Sequence, residues 1–106
     1  MKLSELKAAG GFVSPEPVKT HVKWQRGEDV TEFDIHVRRL SFGEFERIYV
    51  DPKDKERSRT AALISASVLL GEKADEPITY KDAFQLEPTL ASALVAAITE
   101  VSRPKA

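Results

Sequence analysis

The sequence contains no cysteine, and among its 106 residues it has only one methionine, one tryptophan and five glycines. Without cysteine the chain has no disulfide framework, no thiolate nucleophile and no cysteine ligand for a metal ion. Such a chain needs no oxidising compartment for folding. We therefore expect a cytoplasmic protein whose stability comes from an ordinary apolar core.

The sequence also lacks an excess of charge of either sign, since 16 basic and 17 acidic residues give a net charge of -1. That balance leaves no overall field to attract nucleic acid or an anionic membrane, so we expect neither as a partner. The longest apolar run, about residues 61–70, is too short to span a bilayer and is interrupted by Ser65 and Ser67. Glu5 interrupts the apolar pattern of the first residues, which therefore does not resemble a signal peptide.

The sequence has none of the common catalytic or nucleotide-binding motifs, such as a P-loop, a nucleophile elbow or an HExxH helix. Glu44 and Glu46 point to different sides of a predicted helix, so they do not form an acid–base pair. His21 and His36 lie on polar strand faces without an evident third ligand, which indicates solvated histidines rather than a metal site. We therefore predict a protein that is not an enzyme and that binds no cofactor or metal.

Two segments, residues 18–24 and 31–38, alternate apolar and polar residues with the period of a β-strand. The stretch between them, residues 25–30, has Gly27 at its centre and is typical of a hairpin loop. We predict that the two segments form an antiparallel pair. Because a lone hairpin is marginally stable in water, its apolar face must be covered by helices.

The charges of the two strands predict the pairing register. If Lys23 lies opposite Glu32, then His21 lies opposite Asp34, and both pairs bring groups of opposite character together on the polar face. A slip of two residues would weaken this match. We therefore expect this register in the folded protein.

A strand-to-helix corner is predicted directly after the second strand. Ser41 is a good N-cap, and Glu44 three residues later completes a capping box. Leu40 and Phe45 occupy the positions of a hydrophobic staple, which fixes the angle between strand and helix. The helix is predicted over residues 42–50, because an aspartate–proline pair follows it.

Three further helices are predicted in the second half of the chain, over residues 57–70, 80–84 and 88–102. The first is the most apolar segment of the chain, and Gly71 is in place to serve as its C-cap. Thr79 is the predicted N-cap of the second helix. The third begins at a proline, which the first turn of a helix tolerates well.

These elements predict an α+β fold in which an N-terminal two-stranded antiparallel hairpin packs against three or four helices. The length favours a single domain over residues 1–106. We expect residues 1–17 to be an irregular or weakly helical lead-in and residues 103–106 to be a frayed tail. The regular inward positions of the strands and helices predict the core, which comprises Val22, Phe33, Ile35, Phe45, Leu63, Leu70, Leu94 and Ile98.

The order of these elements, with the sequences of residues 37–47, 78–86 and 100–102, resembles the tail assembly chaperones of long-tailed phages. The resemblance covers nearly the whole chain and consists of order and spacing rather than of catalytic residues. It implies a prophage-encoded or phage-encoded protein of the host bacterial cytoplasm that is absent from the mature virion. The partners it implies are the tape-measure protein and the tail-tube protein, together with self-association.

The mechanism that the resemblance implies is physical shielding, in which a small chaperone lays apolar surface over the apolar faces of a long helical client. The apolar surface of residues 61–70 extends far around the predicted helix, which fits such a role and predicts oligomers at micromolar concentration. The candidate partner-binding residues lie off the regular inward stripes or on the short helix. They are Ile64, Val68, Tyr80, Phe84 and Val95.

The competing hypothesis is a small non-catalytic interaction or regulatory subunit from a bacterial operon, for which the same composition would serve. Gene neighbourhood separates the two hypotheses. A major tail gene upstream and a very long tape-measure gene downstream support the chaperone.

Overall fold

A computed structural model describes residues 1–14, 16–49 and 58–102 of the chain. Helices pack against an antiparallel sheet, which confirms the predicted α+β class. The elements in chain order are α1 (Leu3–Ala8), β1 (Val18–Arg26), β2 (Asp29–Val37), α2 (Phe42–Tyr49), α3 (Arg59–Ser67), β3 (Val68–Leu70), β4 (Glu76–Pro77), α4 (Tyr80–Phe84) and α5 (Pro88–Ser102). The strand order in the sheet is β1-β2-β3-β4.

The hairpin of β1 and β2 has the predicted register, with Lys23 opposite Glu32 and His21 opposite Asp34. The imidazole of His21 contacts both carboxylates, with Nδ1 2.9 Å from Asp34 Oδ1 and Nε2 3.2 Å from Glu32 Oε1. Opposite charges therefore meet on the solvent face of the sheet, as the sequence predicts.

Both strands of the hairpin are longer than predicted, because only Gly27 and Glu28 lie between them. Gly27 has a φ of +59°, which a glycine adopts without steric cost. A two-residue turn allows the pairing to continue to Arg26 and Asp29. The residues we assigned to a wide loop are therefore mostly strand.

The predicted capping box forms at the start of α2. The Glu44 N–H donates to Ser41 Oγ over 3.3 Å, and the Ser41 N–H donates to Glu44 Oε1 over 3.2 Å. Arg38 Nη2 donates to the other carboxylate oxygen of Glu44 over 2.6 Å, which links the end of β2 to the helix. The predicted helix stop after Tyr49 and the charged stretch beyond it lie outside the described residues.

The most apolar helix is shorter than predicted, because α3 ends at Ser67 and the chain continues as strand β3. The carbonyl of Ser67 accepts a hydrogen bond from the Arg38 N–H over 2.7 Å, and Val68 then lies opposite Val37 of β2. Pairing with β2 satisfies the backbone hydrogen-bonding groups that would have bonded within α3 if the helix were longer. Tertiary pairing thus overrides the local helical pattern at residues 68–70.

The sheet has four strands rather than the two that we predicted, because β3 pairs with β2 and β4 pairs with β3. Gly71 does not cap a helix. It lies in the turn between β3 and β4 with a φ of +84°, and its carbonyl accepts a hydrogen bond from the Ala74 N–H over 3.1 Å. The predicted role of Gly71 as a helix C-cap is therefore wrong, because the element before it is a strand.

The last two helices have the predicted bounds. Thr79 caps α4, since its hydroxyl accepts a hydrogen bond from the Asp82 N–H over 3.2 Å. Helix α5 packs mainly on β1 and also contacts α3, while α3 contacts α4 and α2. The helices therefore cover the apolar face of the hairpin. The tail at residues 103–106 lies outside the described residues.

The core lies between the apolar face of the sheet and helices α3 to α5. Five of the predicted core residues are buried, namely Val22, Ile35, Leu63, Leu94 and Ile98. The other three, Phe33, Phe45 and Leu70, are partly buried and pack against the same cluster. Residues 1–14, which include α1, are exposed throughout and contribute nothing to this core.

Candidate binding surface

Two of the predicted partner-binding residues are in the core rather than on the surface, which corrects our expectation. Ile64 and Val68 both have an exposed fraction of 0%. Helix α3 is enclosed by α2, α4 and α5, so the wide apolar surface that suggested a client face is covered by neighbouring helices. Val68 is not helical and lies within the sheet, opposite Val37.

Two other predicted residues meet on α4. The rings of Tyr80 and Phe84 stack with centroids 6.1 Å apart and an angle of 22° between their planes. Phe84 is 64% exposed, whereas Tyr80 is half-buried and packs against the core. The Tyr80 hydroxyl also accepts a hydrogen bond from the Ser58 N–H over 2.7 Å. Tyr80 thus holds one side of an aromatic ring whose other side faces solvent.

The fifth predicted residue, Val95, is half-buried on α5 and packs against the core. It belongs to a different helix from the stacked pair. Of the five candidates, Phe84 alone is strongly exposed, with Tyr80 as its support. We call Tyr80 and Phe84 together the α4 aromatic pair.

The sequence reasoning missed the exposure of Phe42, which is 78% exposed at the first position of α2. Phe42, Phe45 and Tyr49 recur at spacings of three and four residues, as on one side of a helix. Phe45 and Tyr49 do stack, with centroids 5.9 Å apart, and Phe45 packs against the core. Phe42 lies one turn before Phe45, at the start of α2. From that position in the sequence its exposure could have been predicted.

A second missed feature is an apolar segment at the N-terminus. Leu3, Leu6, Phe12 and Val13 are all exposed. The Nζ of Lys7 lies 5.1 Å from the centre of the Phe12 ring, a cation–π contact that covers part of that ring. The three-residue spacing of the two leucines, in a helix too short to fold alone, was the available signal.

Trp24 is not a free anchor for a partner. It is half-buried, and its Nε1 donates a hydrogen bond to the hydroxyl of Thr89 on α5 over 2.8 Å. The guanidinium of Arg26 lies 4.1 Å from the centre of the indole ring. Trp24 therefore joins the hairpin to α5.

The polar face of the hairpin carries a charge network centred on His21. Hydrogen bonds to Asp34 and Glu32 raise the pKa of His21, and the hydrogen bond from His21 lowers the pKa of Asp34. Lys19 Nζ lies 3.7 Å from the second oxygen of Asp34. His21 is exposed, as predicted, but its ring contacts two carboxylates rather than only solvent.

His36, which we predicted to be solvated, is instead half-buried, and its buried Nδ1 has no hydrogen-bond partner within the described residues. Within residues 1–14, 16–49 and 58–102, no group of three histidine, aspartate or glutamate side chains is arranged to hold a metal ion. The helices in these ranges include none that is long and apolar enough to cross a membrane.

The exposed aromatic groups, carried on a small α+β body, define a protein with contact surface for other proteins. Residues 4–102 match the sequence model of a family described as "Phage tail assembly chaperone, TAC". This match spans nearly the whole chain, so the protein belongs to the phage tail assembly chaperone family, as the resemblance predicted. No curated protein and no solved structure matches the chain.

Proposed function

We propose that this protein binds the tape-measure protein and the tail-tube protein of its phage and shields their apolar surface during tail morphogenesis. The observation that carries the proposal is Phe84, which is 64% exposed on a folded helix of a tail assembly chaperone. An aromatic ring in this position offers a large apolar contact area to a client.

The α4 aromatic pair is held in place before any client binds. Thr79 caps the short helix, and the Ser58 N–H fixes the Tyr80 hydroxyl. Because Phe84 stacks on Tyr80, little side-chain freedom remains to be lost on binding, which favours affinity. An exposed ring on a rigid support suits an apolar stripe of a helical client.

The proposal includes action in the host bacterial cytoplasm and absence from the mature virion. It also includes self-association, now based on the exposed Phe42 and Phe84 and on the apolar N-terminal segment instead of α3. Sedimentation velocity at micromolar concentration tests this part. Oligomers that dissociate on dilution are expected, whereas a monomer at every accessible concentration would contradict self-association.

Co-purification with the tape-measure protein of the same phage tests the main proposal. We expect Phe84→Asp to reduce the amount of co-purified tape-measure protein at least fivefold, because a charge replaces the exposed ring. Phe84→Tyr keeps the ring and should bind like the wild type. Ser92→Asp introduces the same charge at an exposed position of α5 and serves as the second control.

Circular dichroism of each variant must show an unchanged fold. If Phe84→Asp is folded and retains the tape-measure protein at the wild-type level, the α4 aromatic pair is not the client surface. The same comparison with the tail-tube protein shows whether both clients use this surface.

A further inference from the structure

The two edges of the sheet are protected very differently. Strand β4 at one edge has only two residues and ends in Pro77, which has no N–H to offer. Strand β1 at the other edge has nine residues, is free of proline, and pairs with β2 without a bulge along its whole length. In the part of the chain that the structure describes, no backbone group bonds to the outer side of β1.

The hairpin turn shows which backbone groups of β1 point outward. A two-residue turn closes on a hydrogen-bonded pair, here Arg26 with Asp29, and hydrogen-bonded pairs then recur at every second residue. By the same alternation the backbone N–H of Arg38, the residue after β2, points away from β1. It donates a hydrogen bond to the Ser67 carbonyl. The outward N–H and C=O groups of β1 therefore belong to Lys19, His21, Lys23 and Gln25.

The side chains of these outward residues make the edge basic. Strand β1 contains no acidic residue, and Lys19, His21 and Lys23 alternate along its polar face. In an antiparallel pair of two β1 strands, keeping the polar faces together would place basic side chains opposite or beside one another, which is unfavourable. The pattern disfavours a second copy at this edge.

Charge complementarity instead favours a strand with acidic side chains at alternate positions. Strand β2 has this pattern on the inner side of β1, with Glu32 and Asp34 facing Lys23 and His21. Among the described residues Lys23 makes no ion pair, since Glu32 contacts His21 instead. Its ammonium group is therefore available to a carboxylate on the outer side.

We infer that the open edge of β1 binds an extended segment of a partner protein in which acidic residues alternate with apolar ones. The segment runs antiparallel to β1, so the acidic residues lie opposite Lys19, His21 and Lys23 and their own backbone groups bond to the edge. The apolar residues lie on the other face, beside Val18, which is 37% exposed, and the half-buried Trp24. This binding site is separate from the α4 aromatic pair and goes beyond the function proposed above.

A capped peptide of the same length as β1, with glutamate and valine alternating, is the probe. In NMR titrations of the full chain, we expect the amides of Lys19, His21, Lys23 and Gln25 to become protected from hydrogen exchange. The β1 amides between them already bond to β2 and should change little. A peptide of equal composition with all glutamates at one end should bind more weakly.

Methylation of the peptide backbone provides the sharpest control. In the proposed pairing the glutamate amides point to β1, so N-methyl glutamates should abolish binding, whereas N-methyl valines should be tolerated. Lys23→Glu should weaken binding about fivefold, because it replaces an attraction by a repulsion. Lys73→Glu, an exposed change in the turn between β3 and β4, should have no effect.

Several outcomes would overturn the inference. They are equal binding of the two N-methylated peptides, protection of amides outside the β1 edge, and no binding up to about 1 mM peptide. Protection of the same four amides on raising the protein concentration alone would assign the edge to a second copy. Phe84→Asp should bind the peptide normally, so a failure of the client surface and a failure of the edge site are distinguishable.

Discussion

The indole of Trp24 on β1 donates a hydrogen bond of 2.8 Å to the hydroxyl of Thr89 on α5. The Thr89 hydroxyl in turn donates to the carboxylate of Glu87, just before the helix. That hydrogen bond is the main cause of the lowered pKa of Glu87. A chain of polar contacts thus links the first strand to the start of the last helix, above the apolar packing of α5 on the hairpin.

We predict that Trp24→Phe lowers the free energy of unfolding by about 1 kcal/mol, because it removes this hydrogen bond but keeps an aromatic ring. Thr89→Val should have an effect of similar size. Urea unfolding of both single variants and of the double variant measures the coupling. Both substitutions break the same Trp24–Thr89 hydrogen bond, so the double variant should lose less stability than the sum of the two single losses. Strict additivity would contradict the link between β1 and α5.

The corner between β2 and α2 gives a second prediction. Ser41→Ala should lower the free energy of unfolding by about 1 kcal/mol, because the Glu44 N–H loses its acceptor. Ser92→Ala, at an exposed interior position of α5, should be neutral or slightly stabilising. Equal urea midpoints for wild type and Ser41→Ala, at equal slopes, would show that the cap is not needed.

The burial of Val68 gives a third prediction, which contrasts with the exposed Phe84. Val68→Asp places a charge at a fully buried sheet position and should destabilise the protein by about 4 kcal/mol or more. Phe84→Asp should cost less than about 1 kcal/mol, since the ring is largely in solvent. Thermal unfolding followed by circular dichroism measures both. A stable Val68→Asp variant would mean that β3 does not lie in the core.

The charge network of the hairpin gives a pH prediction. The pKa of His21 is raised above its usual 6.5, so protonated His21 stabilises the folded state fully below that value. The stabilisation is lost as the pH rises through the higher pKa of the folded state. The pKa of Asp34 is lowered from 3.8, so Asp34 also stabilises the folded state, but with the opposite pH dependence: its contribution is lost only in acid, as the pH falls through the folded pKa.

Urea unfolding of wild type and His21→Gln between about pH 5 and pH 8 tests this prediction. The stability difference between the two proteins should shrink as the pH rises through neutrality. An NMR titration of the His21 ring should give a pKa above 6.5. A difference that is constant over this range would mean that the ion pairs do not contribute to stability.

Local sequence patterns were sufficient to predict the structure where one segment contains all the interacting groups. The capping box of Ser41 and Glu44 and the N-cap of Thr79 follow from spacings of three residues. The hairpin register followed from charges on two consecutive strands, which lie opposite each other across one turn. Both kinds of interaction form within one segment or between consecutive segments, so the sequence contains enough information to predict them.

The sequence alone was insufficient to predict the structure where the hydrogen-bonding partner is a strand distant in the chain. Residues 68–70 continue an apolar helical pattern, but β2 offers them hydrogen bonds, which turns them into a strand and adds β4 beyond it. The candidate surface likewise failed at Ile64 and Val68, because elements distant in the chain bury both residues. A wide apolar stripe looks exposed in sequence, and only the neighbouring helices decide whether it is covered.

The sequence by itself determined the α+β class, the hairpin with its register, the starts of α2, α4 and α5, and the resemblance to tail assembly chaperones. The tertiary structure decided which apolar residues face solvent and which edge of the sheet is open. Exposure depends on every element that packs against a residue, and those elements lie far away in the chain. Phe84 and the outward edge of β1 are exposed because no described element covers them, which no local spacing could predict.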